Sequence, residues 1–152
     1  MDKDVMQEKD FVELLGFRLG GQDYAIRIES VREVADLVER TRVPFSPRGF
    51  LGVMSLKGEV IPLIDLRSLF GFPDEINGTE RVIVVKTDGE AVGFLVDNVT
   101  GIYPVSEDSI NPLKDTKYVS GELKFEGSIV RLLDHKAVLE SFLKSTREIS
   151  RK

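Results

Sequence analysis

The stretch GVMSLKGEVIPLIDLRSLFG, residues 52–71, holds strand, turn, strand and helix start in one run. Val53, Met54 and Leu56 mark an apolar strand at 52–56, and Val60 to Ile64 a second one at 59–64. Lys57-Gly58 lies between them as a two-residue turn, because glycine suits the tight hairpins whose twist matches that of their strands. Asp65 stands where a short helical turn at 66–70 needs a side-chain oxygen for its free N–H groups. Pro62 cannot donate to a ladder, so its strand is expected to be an edge or to carry a bulge there.

Outward from this stretch, glycines and turn residues recur about every 8–12 residues and divide short β-branched runs, as in small barrels. Strands are expected at 11–19, 23–28, 31–37, 52–56, 59–64, 81–87, 91–97, 100–105, 120–125 and 128–133. A C-terminal helix is expected at 135–145, where Val138, Leu139, Phe142 and Leu143 form one apolar stripe behind a capping Asp134. Residues 1–10 read as a flexible tail and 146–152 as a frayed end. Val31, Val34, Leu37 and Val38 are apolar enough either to fill a core between two halves or to form a docking surface.

The chain also repeats itself. GQDYAIRIESVREV (21–34) aligns with GEAVGFLVDNVTGI (89–102) at an offset of 68, pairing Val31 with Val99. GEVIPLIDLRSLF (58–70) aligns with GSIVRLLDHKAVL (127–139) at an offset of 69, pairing Asp65 with Asp134. Two matches at nearly one spacing divide the chain into homologous β-rich halves, with the boundary near FPDEING (72–78). Each half alone would hold a marginal core, so the halves are expected to pack on each other.

Composition narrows the function classes. A net charge of -5 with scattered basic residues argues against a nucleic-acid binder, which needs a clustered cationic surface. With no cysteine there is neither a disulfide framework nor a thiolate metal site. The charged first ten residues lack the apolar core of a signal peptide, and no apolar run approaches the roughly 20 residues that cross a bilayer. A cytoplasmic protein without direct membrane insertion is expected.

Chemistry is sparse. The single His135 follows the capping Asp134, and one histidine cannot build a histidine-rich metal site. Ser55 and Lys57 offer a dyad without an oxyanion hole or an orienting acid. The glycine pairs match no phosphate-binding fingerprint, and the run SEDSIN (106–111) lacks the spacing of a calcium loop. No catalytic residue, metal or cofactor is assigned, and a small barrel enzyme using Lys57 or His135 is the disfavoured alternative. A binding module using strand edges is favoured.

Three segments carry a resemblance: LGGQDYAIRIESVREV, VPFSPRGFLGVMSLKGEVIPLIDLRSLFG and AVGFLVDNVTGI. In order and spacing the chain resembles the CheW family of chemotaxis coupling proteins over roughly residues 11–145, whose turn motif reads G-V-x-x-L-[RK]-G. The resemblance implies a mostly β fold of two pseudo-symmetric, five-stranded SH3-like barrels on a shared core. Lobe 1 would span about 15–77 and lobe 2 about 78–145, with the first strand open to sharing. It implies a non-catalytic scaffold at the membrane-associated receptor array, coupling methyl-accepting chemoreceptors to the histidine kinase CheA. An adaptor for a non-motility chemosensory pathway is the alternative within the family. By position, Val31, Glu33 and Gly52 would face the kinase regulatory domain. Leu15, Ile28, Val31 and Val99 would line an apolar groove for the receptor's cytoplasmic tip, with Lys57 touching the receptor. The family's usual turn is Asn-Leu-Arg-Gly; Lys57 here replaces a planar, bidentate arginine by a flexible point charge, which implies a weaker contact or a different partner.

Overall fold

The computed structural model describes residues 10–37, 40–41, 49–73, 75–114 and 116–150. The strands are β1 (Phe11–Leu19), β2 (Gln22–Arg27), β3 (Val31–Asp36), β4 (Arg40–Thr41), β5 (Phe50–Leu56), β6 (Glu59–Asp65), β7 (Arg81–Val85), β8 (Val92–Val96), β9 (Asn98–Ser106), β10 (Asn111–Pro112), β11 (Val119–Phe125) and β12 (Ser128–Leu133). A short helix α1 (Leu66–Leu69) follows β6, and α2 (His135–Ser150) follows β12. The strands form two six-stranded sheets, β10-β11-β12-β2-β1-β9 and β3-β7-β8-β6-β5-β4.

The repeat relates one sheet to the other strand by strand. Leu63 of β6 pairs in parallel with Gly93 of β8, and its counterpart Leu132 pairs in parallel with Ala25 of β2. Val31 of β3 faces Val85 of β7, and its counterpart Val99 of β9 faces Phe17 of β1. Bulges recur too: β3 slips between Val31 and Glu33, and β9 slips at the equivalent place, opposite Gly16 and Phe17. A bulge re-aims the strand that carries it and so must recur if two barrels are to curl alike.

The sheets do not divide at 72–78. The opening hairpin β1-β2 lies in the sheet of β9 to β12, and the hairpin β7-β8 lies in the sheet of β3 to β6. Each half therefore lends its first hairpin to the sheet of the other half, and both β1 and β2, not one shared strand, cross over. Each sheet also has a sixth strand of two residues, β4 or β10, beyond the five expected. Such pieces are too short to show an apolar alternation.

Each sheet curls on itself. The β5-β6 hairpin meets β3, three strands away, through Lys57 and Glu33 at 3.5 Å. In the other sheet, Phe125 of β11 stacks on Tyr103 of β9 with ring centroids 4.2 Å apart. Three apolar clusters result. Met54, Ile61, Leu63, Val82, Val84 and Leu95 fill one barrel; Leu14, Ala25, Leu123, Val130 and Leu132 fill the other. The third lies between them and takes Leu15, Phe17, Ile83 and Val85 from the opposite faces of β1 and β7. Period-two alternation sends successive residues of one strand to different cores. The expected packing of the two halves on each other is this third cluster.

Several local expectations meet their geometry. Lys57 (φ 53) with Gly58 (φ 81), and Glu126 (φ 50) with Gly127 (φ 82), are paired left-handed turns of the type that closes two-residue hairpins. Asp65 accepts a hydrogen bond from the Arg67 N–H at 3.0 Å, and Asp134 accepts one from the Ala137 N–H at 3.1 Å. Val138 and Phe142 bury the inner face of α2. That helix continues past 145 to Ser150, with no glycine or proline to stop it. Strand β6 is interior, not an edge; Pro62 precedes Leu63, where pairing with β8 begins, and the bulge lies on β5 between Phe50 and Gly52. Val38, the side chain of Leu143, and residues 1–9 and 151–152 lie outside the described residues.

Candidate interaction site

The two outer strands β3 and β9 border the inter-barrel cluster from opposite sheets. Ile28, in a 3-10 turn leading into β3, and Val31, Val34 and Val99 are half-buried against this one cluster. Ile102, the counterpart of Val34, is 57% exposed on β9. An apolar strip that is partly covered and bordered by the outermost strands of two sheets can accept an amphipathic segment. Leu15 is 3% exposed and belongs to the cluster itself, so it forms the floor beneath the strip. The outcome for the apolar residues of β3 is divided: Val31 and Val34 pack between the barrels, whereas Leu37 packs on the barrel interior.

Charge gathers on one side. Arg32 donates to Glu59 at 2.8 Å and to Glu33 at 3.2 Å, and Lys57 completes the chain with its 3.5 Å contact to Glu33. The hydrogen bond to Glu59 raises the Arg32 pKa above its ordinary value, outweighing the opposite pull of desolvation. Lys57 is the most open of the four, with a side chain 77% exposed, so its single ion pair adds little stability. Glu33 and Lys57 are thus brought together. Gly52 is buried five residues back along β5, about 17 Å from the turn at the usual rise per residue. Its φ of 130 at the bulge is a conformation that favours glycine, so it shapes the strand without presenting a side chain.

A second polar centre escaped the sequence reading. Arg67, 1% exposed, donates from Nε and Nη2 to both oxygens of Asp65 at 3.0 and 3.1 Å. Its Nη1 reaches Asp97 at 3.1 Å and the Glu75 carbonyl at 2.9 Å, with Glu80 at 3.4 Å. Burial opposes the charge on Arg67, but Asp65 and Asp97 outweigh it and its pKa stands above the ordinary value. Asp97 also accepts the Gly20 N–H at 2.7 Å, which ties the β1-β2 turn of one barrel to α1 of the other. Asp65 was legible as a cap; its second role needed a buried arginine two residues on, in a segment that reads only as a short helical turn.

The residues considered for chemistry are dispersed. Ser55 is exposed on β5, while Lys57 turns to Glu33. His135 is half-buried at the start of α2, and burial holds its pKa below the usual histidine value. It lines a cleft with Pro62, Val92 and Leu139. Among the described residues no group of three His, Asp or Glu side chains is placed to hold a metal ion. No helix among them is long and apolar enough to cross a membrane.

Comparison with known proteins fits this architecture. Residues 13–142 match the model of the CheW-like domain. The chain is 37% identical to the "Probable chemotaxis protein CheW" of Rhizobium etli over 113 residues, covering 74% of this chain and 71% of that one. It is 32% identical to the chemotaxis protein CheW of Rhizobium meliloti over 136 residues, 85% of this chain and 88% of the other. Among solved structures, the scaffolding protein TtCheW from Thermoanaerobacter tengcongensis superposes with a TM-score of 0.75 at 30% identity, over 81% of this chain and 88% of that one. With two repeat-related barrels, an inter-barrel core and this match over most of its length, the chain belongs to the CheW family.

Proposed function

We propose that the chain is a non-catalytic scaffold that couples chemoreceptors to a CheA-like histidine kinase in a chemotaxis array. The observation that carries this reading is the apolar strip of Ile28, Val31, Val34 and Val99, half-buried on one cluster between two outer strands. A helix from the receptor's cytoplasmic tip lies on that strip, its apolar face against these side chains. The kinase regulatory domain meets the barrel end that carries Val31 and Glu33, with Gly52 setting the path of the neighbouring strand. Lys57 contacts the receptor from the β5-β6 turn as a point charge. The protein works in the cytoplasm, held at the membrane-associated array through its partners, and no step of this role needs a cofactor.

Calorimetric titration with a receptor-tip fragment and with a CheA regulatory domain tests the reading. Val31→Asp places a charge on the strip and is expected to weaken tip binding by about tenfold or more. Ile102→Asp, at a position already 57% exposed, gives the same direction with the fold intact by circular dichroism. If the unaltered chain binds neither partner, the coupling role is wrong.

A further inference from the structure

Among the described residues the chain passes from one sheet to the other twice, between β2 and β3 at Ile28–Ser30 and between β8 and β9 at Asp97. The repeat offset of 68 makes Glu29 and Asp97 counterparts. A few residues at the end of an element are enough to serve as a hinge between two bodies. The two crossings are held very differently. Glu29 is exposed, and its carboxylate acts on Arg27 through charge alone.

Every polar atom of Asp97 has a partner, and the partners divide between the barrels. Its N–H donates to the Arg18 carbonyl at 3.0 Å and its Oδ2 accepts the Gly20 N–H at 2.7 Å, both on the β1-β2 hairpin. Its Oδ1 accepts from Arg67 at 3.1 Å and its carbonyl accepts from the Thr79 hydroxyl at 3.2 Å, both in the other barrel between α1 and β7. Gly20 is also pressed against that barrel: a Cβ there would stand 2.4 Å from the ring of Phe72, which packs on the inter-barrel cluster. Apolar packing between the barrels is non-directional and tolerates sliding. A hydrogen-bonded set with its partners met fixes one arrangement.

The walls of the apolar strip belong to different barrels, Val31 and Val34 to β3 and Val99 to β9. Its width therefore follows the angle between the barrels, and Val99 stands two residues beyond Asp97. We infer that Asp97 locks the angle between the barrels and, through that angle, positions the strip for its partner. The lock stands on the hydrogen bonds alone; the positioning role rests on the coupling reading and adds to it the residue that keeps the strip at one width.

The chain has no cysteine, so a label pair is unambiguous. Val60 of β6 and Ile129 of β12 lie on different sheets and are 60% and 55% exposed. Spin labels on Val60→Cys with Ile129→Cys report the inter-barrel distance by electron–electron coupling, and one narrow distance is expected in the otherwise unaltered chain. Asp97→Asn keeps the side-chain volume but offers a single carboxamide oxygen to two donors, so one barrel loses its hold and the distribution broadens or splits. Thr79→Val removes the hydroxyl donor without touching a buried charge, and it broadens the distribution in the same sense. Glu80→Gln takes a carboxylate from the same Arg67 but no bond between the barrels, so it lowers stability and leaves the distance narrow. Calorimetric titration with a receptor-tip fragment is expected to show about tenfold weaker binding to Asp97→Asn, the loss for a strip that holds its bound width roughly a tenth of the time. Glu80→Gln is expected to bind the tip as the unaltered chain does.

A distribution that stays narrow in Asp97→Asn, or in Thr79→Val where Asp97→Asn does not fold, overturns the lock. So does equal broadening in Glu80→Gln. A broadened distance with tip binding unchanged overturns the positioning role alone. Failure of the tip to bind the unaltered chain overturns the coupling reading and the positioning role with it, and the distances then decide the lock by themselves.

Discussion

At the scale of single residues, the most consequential side chain is one that no motif search selects. Arg67 is buried with Asp65 and Glu80 and reaches the partly exposed Asp97, and such a group is stable only while each charge keeps its hydrogen bonds. Glu80 shows the balance. Burial pushes its carboxyl pKa up, but the N–H groups of Asn77 and Gly78, its own N–H and the charge of Arg67 hold it below the usual glutamate value. A depressed folded-state pKa means that Glu80 contributes stability above the unfolded glutamate pKa, and this contribution is lost as pH falls through the folded one. Glu80→Gln is therefore expected to lower the unfolding free energy at pH 7 by about 1–2 kcal/mol and to flatten its decline toward acid. Urea melts from pH 7 down to pH 3 measure both, and equal acid slopes in the two proteins would refute the assignment.

At the scale of elements, the two hairpin turns carry a local backbone cost. Lys57 and Glu126 adopt left-handed backbone angles that side chains other than Asn, Asp and Gly hold at a cost. Glu126→Asn is expected to raise stability by about 0.5–1 kcal/mol, seen as an upward shift in the thermal midpoint. No shift, or a fall, would mean that Glu126 makes a compensating interaction. The turns, the caps at Asp65 and Asp134 and every strand longer than two residues were legible, because apolar alternation and turn chemistry are local properties. The interior position of β6 was not. Pro62 argues for an edge only if both sides of its strand are paired at that residue, and here the neighbour β8 begins one residue later. The Arg67 centre was hidden for a related reason: its partners Glu80 and Asp97 are 13 and 30 residues away.

At the scale of the whole molecule, the repeat disclosed two barrels but not which hairpin belongs to which. Hairpin pairing is set by a neighbouring turn, whereas the outer partner of a hairpin is set by packing that no short window contains. The exchange has a direct test. A fragment of residues 1–77 lacks β9, β11 and β12, the sheet partners of β1 and β2, and the complementary fragment lacks β3 and β6, the partners of β7 and β8. Each fragment is expected to be largely unfolded alone, and the two to recover native circular dichroism when mixed. Independent folding of either would contradict the exchanged sheets.

The same exchange orders assembly during synthesis. Every strand of the sheet β3-β7-β8-β6-β5-β4 has been made once Val96 is added, so this sheet can close as soon as Val96 has left the ribosome. The hairpin β1-β2 is made before any of these strands, yet its sheet waits for Leu133. The residues of β1 and β2 thus wait longest for their sheet partners. Because the inter-barrel cluster draws on both sheets and on Val138 and Phe142 of α2, it closes only after Phe142 has been made.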